Sequence, residues 1–299
     1  MTQLQKYIWL IDTIRSHGKI SHRDLSDEWE RDKNLSDYKP LHRGTFNRWR
    51  DAIADRFGII IECQKTGGYL YYIANPEDID ENRLKQWMLD TFAVGNIIGD
   101  NLSLKDRILI DEIPSSRLHL QSIIEAMKYS RMIEISYRSF HHHESHNAKI
   151  EPYCIKLFEN RWYVLAKKDE ALKIYGLDRI EKVTILDGTF RFPKEFSAAK
   201  YFESAYGIVF ENDKRPVRVV VRAYDQHKHY IESLPLHYSQ KLIKDYGEYA
   251  DFELYLAPTY DFIMRLLHDG AWLEVLSPMS LRQAMKGWIS DMYDYYEND

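Results

Sequence analysis

Residues 161–180 read RWYVLAKKDEALKIYGLDRI. Two short apolar runs, Arg161–Ala166 and Lys173–Ile180, flank a charged turn, and that pattern predicts a β-hairpin. A hairpin needs only alternating apolar residues and turn chemistry. This one also carries Trp162 and Tyr163 on its first strand and Tyr175, Asp178 and Arg179 on its second. Read as one unbroken strand, 173–180 puts Tyr175, Leu177 and Arg179 on one face and Ile174, Gly176, Asp178 and Ile180 on the other. Tyr175 and Arg179 then offer a stacking surface and a guanidinium to a single anionic ligand, because arginine grips phosphate bidentately and aromatic faces stack on bases. Tyr137 and Ser139, on an earlier strand, add hydroxyls.

Outward from the hairpin, MIEISYRSF (132–140) and IEPYCIKLF (150–158) read as further strands, and KIYGLDRIEKVTIL (173–186) extends the hairpin's second run. A helix with Ile123, Ile124 and Met127 on its apolar side precedes them and runs to Tyr129. Several short strands after one helix predict a small, strongly bent sheet or barrel.

These residues resemble the WYL domain of bacterial transcription regulators. The resemblance rests on the series ISYRSF, IEPYCIKLFENRWYVLA, YGLDRIEKV and FRFPKEF. Trp162–Tyr163–Val164 stands where that family has Trp-Tyr-Leu, and Leu177–Asp178–Arg179–Ile180 matches its second signature. The resemblance implies a cytoplasmic repressor or activator whose Sm-like small β-barrel senses a nucleotide or single-stranded nucleic acid. Tyr137, Ser139, His142, Tyr163, Lys173, Tyr175 and Arg179 are the candidate ligand contacts. One departure stands out: many members carry arginine at the position of Gly176, so Lys173 or Lys149 would have to supply that charge, or the ligand differs. Two structural roles compete with ligand contact: core packing for Trp162, and an ion pair with Asp178 or another acid for Arg179.

The first quarter has its own pattern. Leu4, Ile8, Ile11 and Ile14 fall at helical spacing before Gly18, and Ser21 with Asp24 forms a capping box for a second helix through Trp29. The polar stretch Arg31–Pro40 interrupts. HRGTFNRWRDAIADRFGI (42–59) then predicts a helix with Phe46, Trp49, Ile53 and Phe57 inward. Gly44, Asn47, Arg48, Asp51 and Asp55 point outward. IIIECQ and YLYYIA, separated by KTGG, predict a hairpin. Three helices and a two-stranded wing give a winged helix-turn-helix, with Arg43, Gly44, Thr45, Asn47 and Arg48 facing duplex DNA and Lys65 reaching a phosphate from the wing tip. Residues 1–75 hold 12 Lys/Arg against 10 Asp/Glu, whereas 207–299 hold 10 against 15. Within a chain of net charge −5 the positive quarter is where a polyanion would dock.

In the last third, RPVRVVVRA, LHYSQKLIKD, YADFELYLA and AWLEVL read as strands. Helices at 224–233, 259–270 and 277–296 complete the order β-α-β-β-α-β-α, a ferredoxin-like pattern. Trp272 and Trp288 fall at core spacing. By resemblance this is the extension that often follows a WYL domain and contributes to dimers. The expected domains are a winged helix-turn-helix (1–76), a helical linker (77–122), a WYL barrel (123–206) and a ferredoxin-like extension (207–299), together an α+β multidomain chain.

The function expected from this organisation is a ligand-responsive regulator, taken as a repressor, binding an inverted-repeat operator as a homodimer. Such regulators often sit beside phage-defence genes. Two alternatives use the same residues differently. One is a metal-dependent nuclease or nucleotide hydrolase built on His141, His142, His143 and His146 with Glu144. Adjacent histidines on a hairpin tip diverge, however, so no metal site and no cofactor is assigned. No P-loop, HExxH or nucleophile elbow appears, and an enzyme is not expected. The other is a protein-binding adaptor with a degenerate helix-turn-helix. Two cysteines and no 18-residue apolar run fit a soluble protein of a reducing cytoplasm.

Overall fold

A computed structural model describes residues 3–31, 36, 38–77, 83–100, 107, 109, 117–140, 144–211 and 213–297. Of the polar Arg31–Pro40 stretch, residues 32–35 and 37 lie outside the described residues, as do His141, His142 and His143. The chain is mixed α and β, with antiparallel sheets, and divides into two compact units, residues 1–111 and 112–299.

The first unit runs α1 (Gln3–His17), β1 (Ile20–Ser21), α2 (His22–Arg31), α3 (Arg43–Phe57), β2 (Ile61–Gln64), β3 (Leu70–Ile73) and α4 (Arg83–Asp100). The apolar period of α1 buries Ile8, Ile11 and Ile14. Gly18, at φ 67°, ends that helix in the left-handed region where a side chain is strained. Ser21 opens α2 as a capping side chain: its hydroxyl accepts the Asp24 N–H at 3.1 Å and donates to the Asp24 carboxylate at 2.7 Å. Three tryptophans, Trp9, Trp29 and Trp49, tie α1, α2 and α3 together edge to face, with centroids 5.0 and 5.2 Å apart. The sheet has three strands, not two, in the order β1-β3-β2. Ile20 and Ser21 go extended because Ile20 is buried opposite Tyr71.

The second unit begins with α5 (Arg117–Lys128), then β4 (Arg131–Tyr137), β5 (His146–Phe158), β6 (Arg161–Lys168), β7 (Ala171–Gly176) and β8 (Ile180–Thr189). They form a five-stranded antiparallel sheet in the order β7-β6-β5-β4-β8. The long β5 pairs with β4 through one half and β6 through the other, with a bulge after Pro152, and the sheet bends there. Ile123 and Ala126 of α5 pack into this core beside Ile133, Ile135 and Ile150. Ile124, expected on the same apolar side, is exposed.

After α6 (Ala198–Phe202) the chain continues as β9 (Val217–Tyr224), α7 (His227–Ser233), β10 (Lys241–Asp245), β11 (Tyr249–Leu256), α8 (Tyr260–His268), β12 (Leu273–Ser277) and α9 (Met279–Glu297). These four strands lie in the order β10-β11-β9-β12, so the first and third strands of this segment are central. Val219, Val221, Phe252 and Leu254 face α7 and α8. Of LHYSQKLIKD only the last five residues are strand. The preceding ones turn, because the Gln240 side chain accepts the Leu236 N–H and donates to the Ile231 carbonyl.

Two sequence expectations are corrected. The run 173–180 is not one strand: β7 ends at Gly176 and Leu177–Arg179 wind into a single 3-10 turn. Leu177 and Ile180 are both buried in the core, and alternation would put residues three apart on opposite faces. Trp272 and Trp288 are not core residues, at 53% and 40% exposed.

Candidate ligand and nucleic-acid surfaces

The broken hairpin sets the geometry of the ligand candidates. Tyr137, Tyr163 and Tyr175 are all buried, and Tyr137 meets Tyr175 edge to face at 5.1 Å. Burial pushes all three phenols up, Tyr175 to about 12, so they stay neutral hydrogen-bonding groups at physiological pH. Tyr175 therefore packs inside the domain and does not form an exposed stacking face with Arg179. The turn sends Arg179 the other way, over the rings of Tyr137 (5.3 Å) and Phe140 (4.8 Å). No carboxylate among the described residues pairs with it. Asp178 pairs instead with Arg161, Nη1 to Oδ2 at 3.1 Å, so an ion pair between Asp178 and Arg179 does not form.

Gly176 is the hub of this cluster. Its backbone hydrogen-bonds the Tyr137 hydroxyl. A Cβ at this position would lie 3.0 Å from both Nε and Nη2 of Arg179 and 2.7 Å from Oδ1 of Asp178. The Arg179 guanidinium and the Asp178 carboxylate together crowd the space that a side chain at 176 would enter. A half-buried arginine in an aromatic niche, without an acid, can receive a phosphate or carboxylate with little rearrangement. Ser139 is half-buried next to this niche in sequence, Lys173 and Lys149 are exposed on β7 and β5, and Trp162 is partly buried against the core. His142 lies outside the described residues. His146 stays on β5 with its ring 5.9 Å from that of Tyr137. Sequence reasoning missed Phe140, although it closes the ISYRSF run, and the Arg161–Asp178 pair. The signal for the latter was a cation at the start of one strand and an acid past the end of the next.

In the first unit, Phe46, Trp49 and Ile53 are buried as their spacing requires, which fixes the rotation of α3. Arg43, Gly44, Asn47 and Arg48 are exposed along its first two turns, and Thr45 is half-buried, its hydroxyl 3.3 Å from Arg48 Nη2. Arg43 also depresses the pKa of His22, after the larger effect of burial. Lys65 is exposed in the β2–β3 turn, where Gly67 and Gly68 take φ of 88° and 114°. A groove of about 400 Å³ between α1 and α3 adds a cation the sequence did not flag: Lys6, with Gln3, borders Thr45 and Arg48. A cation on α1 near α3 is invisible to a one-helix reading.

Comparison with known proteins places these features. Residues 118–185 match the WYL domain family model. No curated protein matches the sequence. Among solved structures, proteasome accessory factor B/C (PafBC) of Arthrobacter aurescens aligns at 15% identity and a TM-score of 0.35, covering 94% of this chain. This chain spans 45% of that one's length. A CRISPR Cas-related protein aligns at 10% identity and a TM-score of 0.37, covering 87% of this chain and 75% of its own. Among the described residues no helix is long and apolar enough to cross a membrane. The broken hairpin, with Arg161, Gly176, Asp178 and Arg179 around it, lies within the segment that matches the WYL domain model.

Proposed function

We propose that this chain is a ligand-responsive transcriptional regulator. The carrying observation is the pairing of a WYL domain with a separate unit whose third helix exposes Arg43, Gly44, Asn47 and Arg48 from a tryptophan-tied core. We read that unit as a winged helix-turn-helix: α3 enters the major groove, the β2–β3 hairpin is the wing, and Lys65 and Lys6 meet phosphates. The bent five-stranded sheet is read as an Sm-like barrel, and the strand order β10-β11-β9-β12 as a ferredoxin-like extension. The effector is a nucleotide or a single-stranded nucleic acid engaging Arg179. The protein acts as a homodimeric repressor on an inverted repeat, in the cytoplasm, with phage defence as its setting and no catalytic step of its own.

Selection of bound duplexes from a random DNA pool tests this reading. A two-fold-symmetric site should emerge, and Arg48→Ala should lower affinity for it about tenfold, the cost of about 1–3 kcal/mol for losing one good base contact. Failure to enrich any duplex at moderate salt would sink the reading and favour the adaptor.

A further inference from the structure

The turn that ends β7 brings three arginines together and leaves one of them free. They are Arg161 of β6, Arg179 of the turn itself, and Arg138, whose backbone N–H donates to the Arg179 carbonyl at 3.0 Å. Arg161 is paired with Asp178 at 3.1 Å, and Arg138 with Glu181 at 2.6 Å. The acids matter as much as the cations. Asp178 precedes Arg179 and Glu181 follows it by two residues, so the free guanidinium has a carboxylate on either side of it along the chain. The lysines nearest in the chain, Lys173 and Lys182, are exposed three residues outside the turn, one on β7 and one on β8. At 3.3 Å per residue each stands about 10 Å along its strand.

The aromatic part of the niche is limited in the same way. Tyr137 is buried beneath the guanidinium and offers no outer face. Phe140 lies 4.8 Å from the guanidinium yet is 76% exposed, so Arg179 covers one face of its ring and the other is open. An open aromatic face stacks on any base, and a guanidinium grips a phosphate bidentately. One open ring beside one free guanidinium matches one base joined to one phosphate.

We propose that the niche seats a single nucleotide through its terminal phosphate, gripped by Arg179, with its base on the open face of Phe140 and no second phosphate contacted. The inference rests on the reading of Arg179 as the effector site and narrows the ligand there to a nucleoside monophosphate unit. A terminal phosphate carries a charge of about −1.5 to −2 and three free oxygens, whereas a phosphate inside a chain carries one charge. It also lets the rest of a strand leave in one direction only, where a strand laid across the turn would pass both Asp178 and Glu181. Such a unit has two sources, a free mononucleotide and the phosphorylated 5′ end of a single strand.

Equilibrium binding to the full chain at pH 8 tests the proposal with three probes. These are deoxyadenosine 5′-monophosphate, an oligodeoxyadenylate of about ten nucleotides with a 5′-phosphate, and the same strand without it. Only the binding lost in both Arg179→Ala and Arg179→Gln is counted, so contacts of the strand with the α3 surface cancel; the glutamine keeps much of the packing of the arginine stem. Removing the terminal phosphate should weaken that binding at least tenfold, and Phe140→Ala should weaken it about fivefold. Its logarithm should fall against the logarithm of salt concentration with a slope of about −0.7 for the phosphorylated strand, the value for one phosphate, where four would give about −3. A mononucleotide within about fivefold of the phosphorylated strand identifies the free nucleotide as the ligand, and a larger gap at the same slope identifies the strand end; either supports the single seat. A slope of about −2 or steeper, indifference to the terminal phosphate, or indifference to Phe140→Ala would overturn the proposal and leave the effector reading standing. If no probe shows binding that depends on Arg179, the effector reading fails and the proposal with it.

Discussion

Gly176 and Arg179 act as one feature. The guanidinium of Arg179 lies 3.0 Å from where a Cβ at 176 would stand and the Asp178 carboxylate 2.7 Å from it, and both obstructing groups are ends of flexible side chains. Gly176→Ala should therefore fold, with a melting temperature within a few degrees of the parent, while turning Arg179 out of the niche formed by Tyr137 and Phe140. Binding of a short labelled single-stranded oligonucleotide, read by fluorescence anisotropy, should weaken about fivefold. A side chain at 176 that left binding unchanged would show that the resting position of Arg179 has no bearing on the ligand. In members of the resembled family with arginine at this position, the charge comes from 176 itself. Here the neighbouring arginine folds back into the room that glycine leaves.

At the junction between the WYL sheet and the C-terminal domain, two polar anchors hold the connecting segment. The Asp261 carboxylate of α8 accepts the N–H groups of Ile208 and Val209 at 2.7 and 2.8 Å. Lys156 of β5 donates to the Gly207 carbonyl at 2.7 Å and lies over the Phe202 ring. Burial pulls the Lys156 ammonium down to about 8, against the smaller opposing attraction of Asp261. Below pH 8 the folded and unfolded chains both carry this proton, and the folded chain bears the full cost of burying it. Between about 8 and the ordinary value of 10.5 the unfolded chain keeps a proton that the folded chain has released, so stability from this group rises with pH. Thermal melts across pH 7 to 10 should show the parent gaining on Lys156→Met above pH 8. A difference that stayed flat with pH would mean that the lysine does not titrate in its buried setting.

In the regulator proposed above, effector and operator must be coupled. A ligand changes operator affinity only by as much as it prefers one state of the protein over the other. Arg179 lies in the second compact unit and the α3 surface in the first. Arg179→Ala should therefore leave duplex affinity within about twofold of the parent while abolishing the effector's influence on it. Gel-shift titrations with and without the oligonucleotide measure both quantities. Loss of duplex affinity in the absence of effector would instead mean that Arg179 contributes to the DNA-binding state.

Periodicity made the first unit legible. The spacing of Ile8, Ile11 and Ile14, the Ser21–Asp24 cap and the Phe46–Trp49–Ile53 face are local patterns, and local hydrogen bonds and helix geometry alone fix where such side chains point. The signatures around Trp162 and Asp178 likewise marked the central domain. Tertiary structure decided what local pattern cannot express. Burying both Leu177 and Ile180 broke the run that alternation made continuous, and the turn sent Arg179 to Phe140 while Tyr175 stayed in the core. Trp288 sits at a core-like spacing on a helix longer than its sheet, and only the extent of that sheet leaves it uncovered. Lys156 reads as an ordinary lysine until a second domain packs over it. A side chain's environment is set by what lies across from it, and pairings distant in sequence leave no period to read.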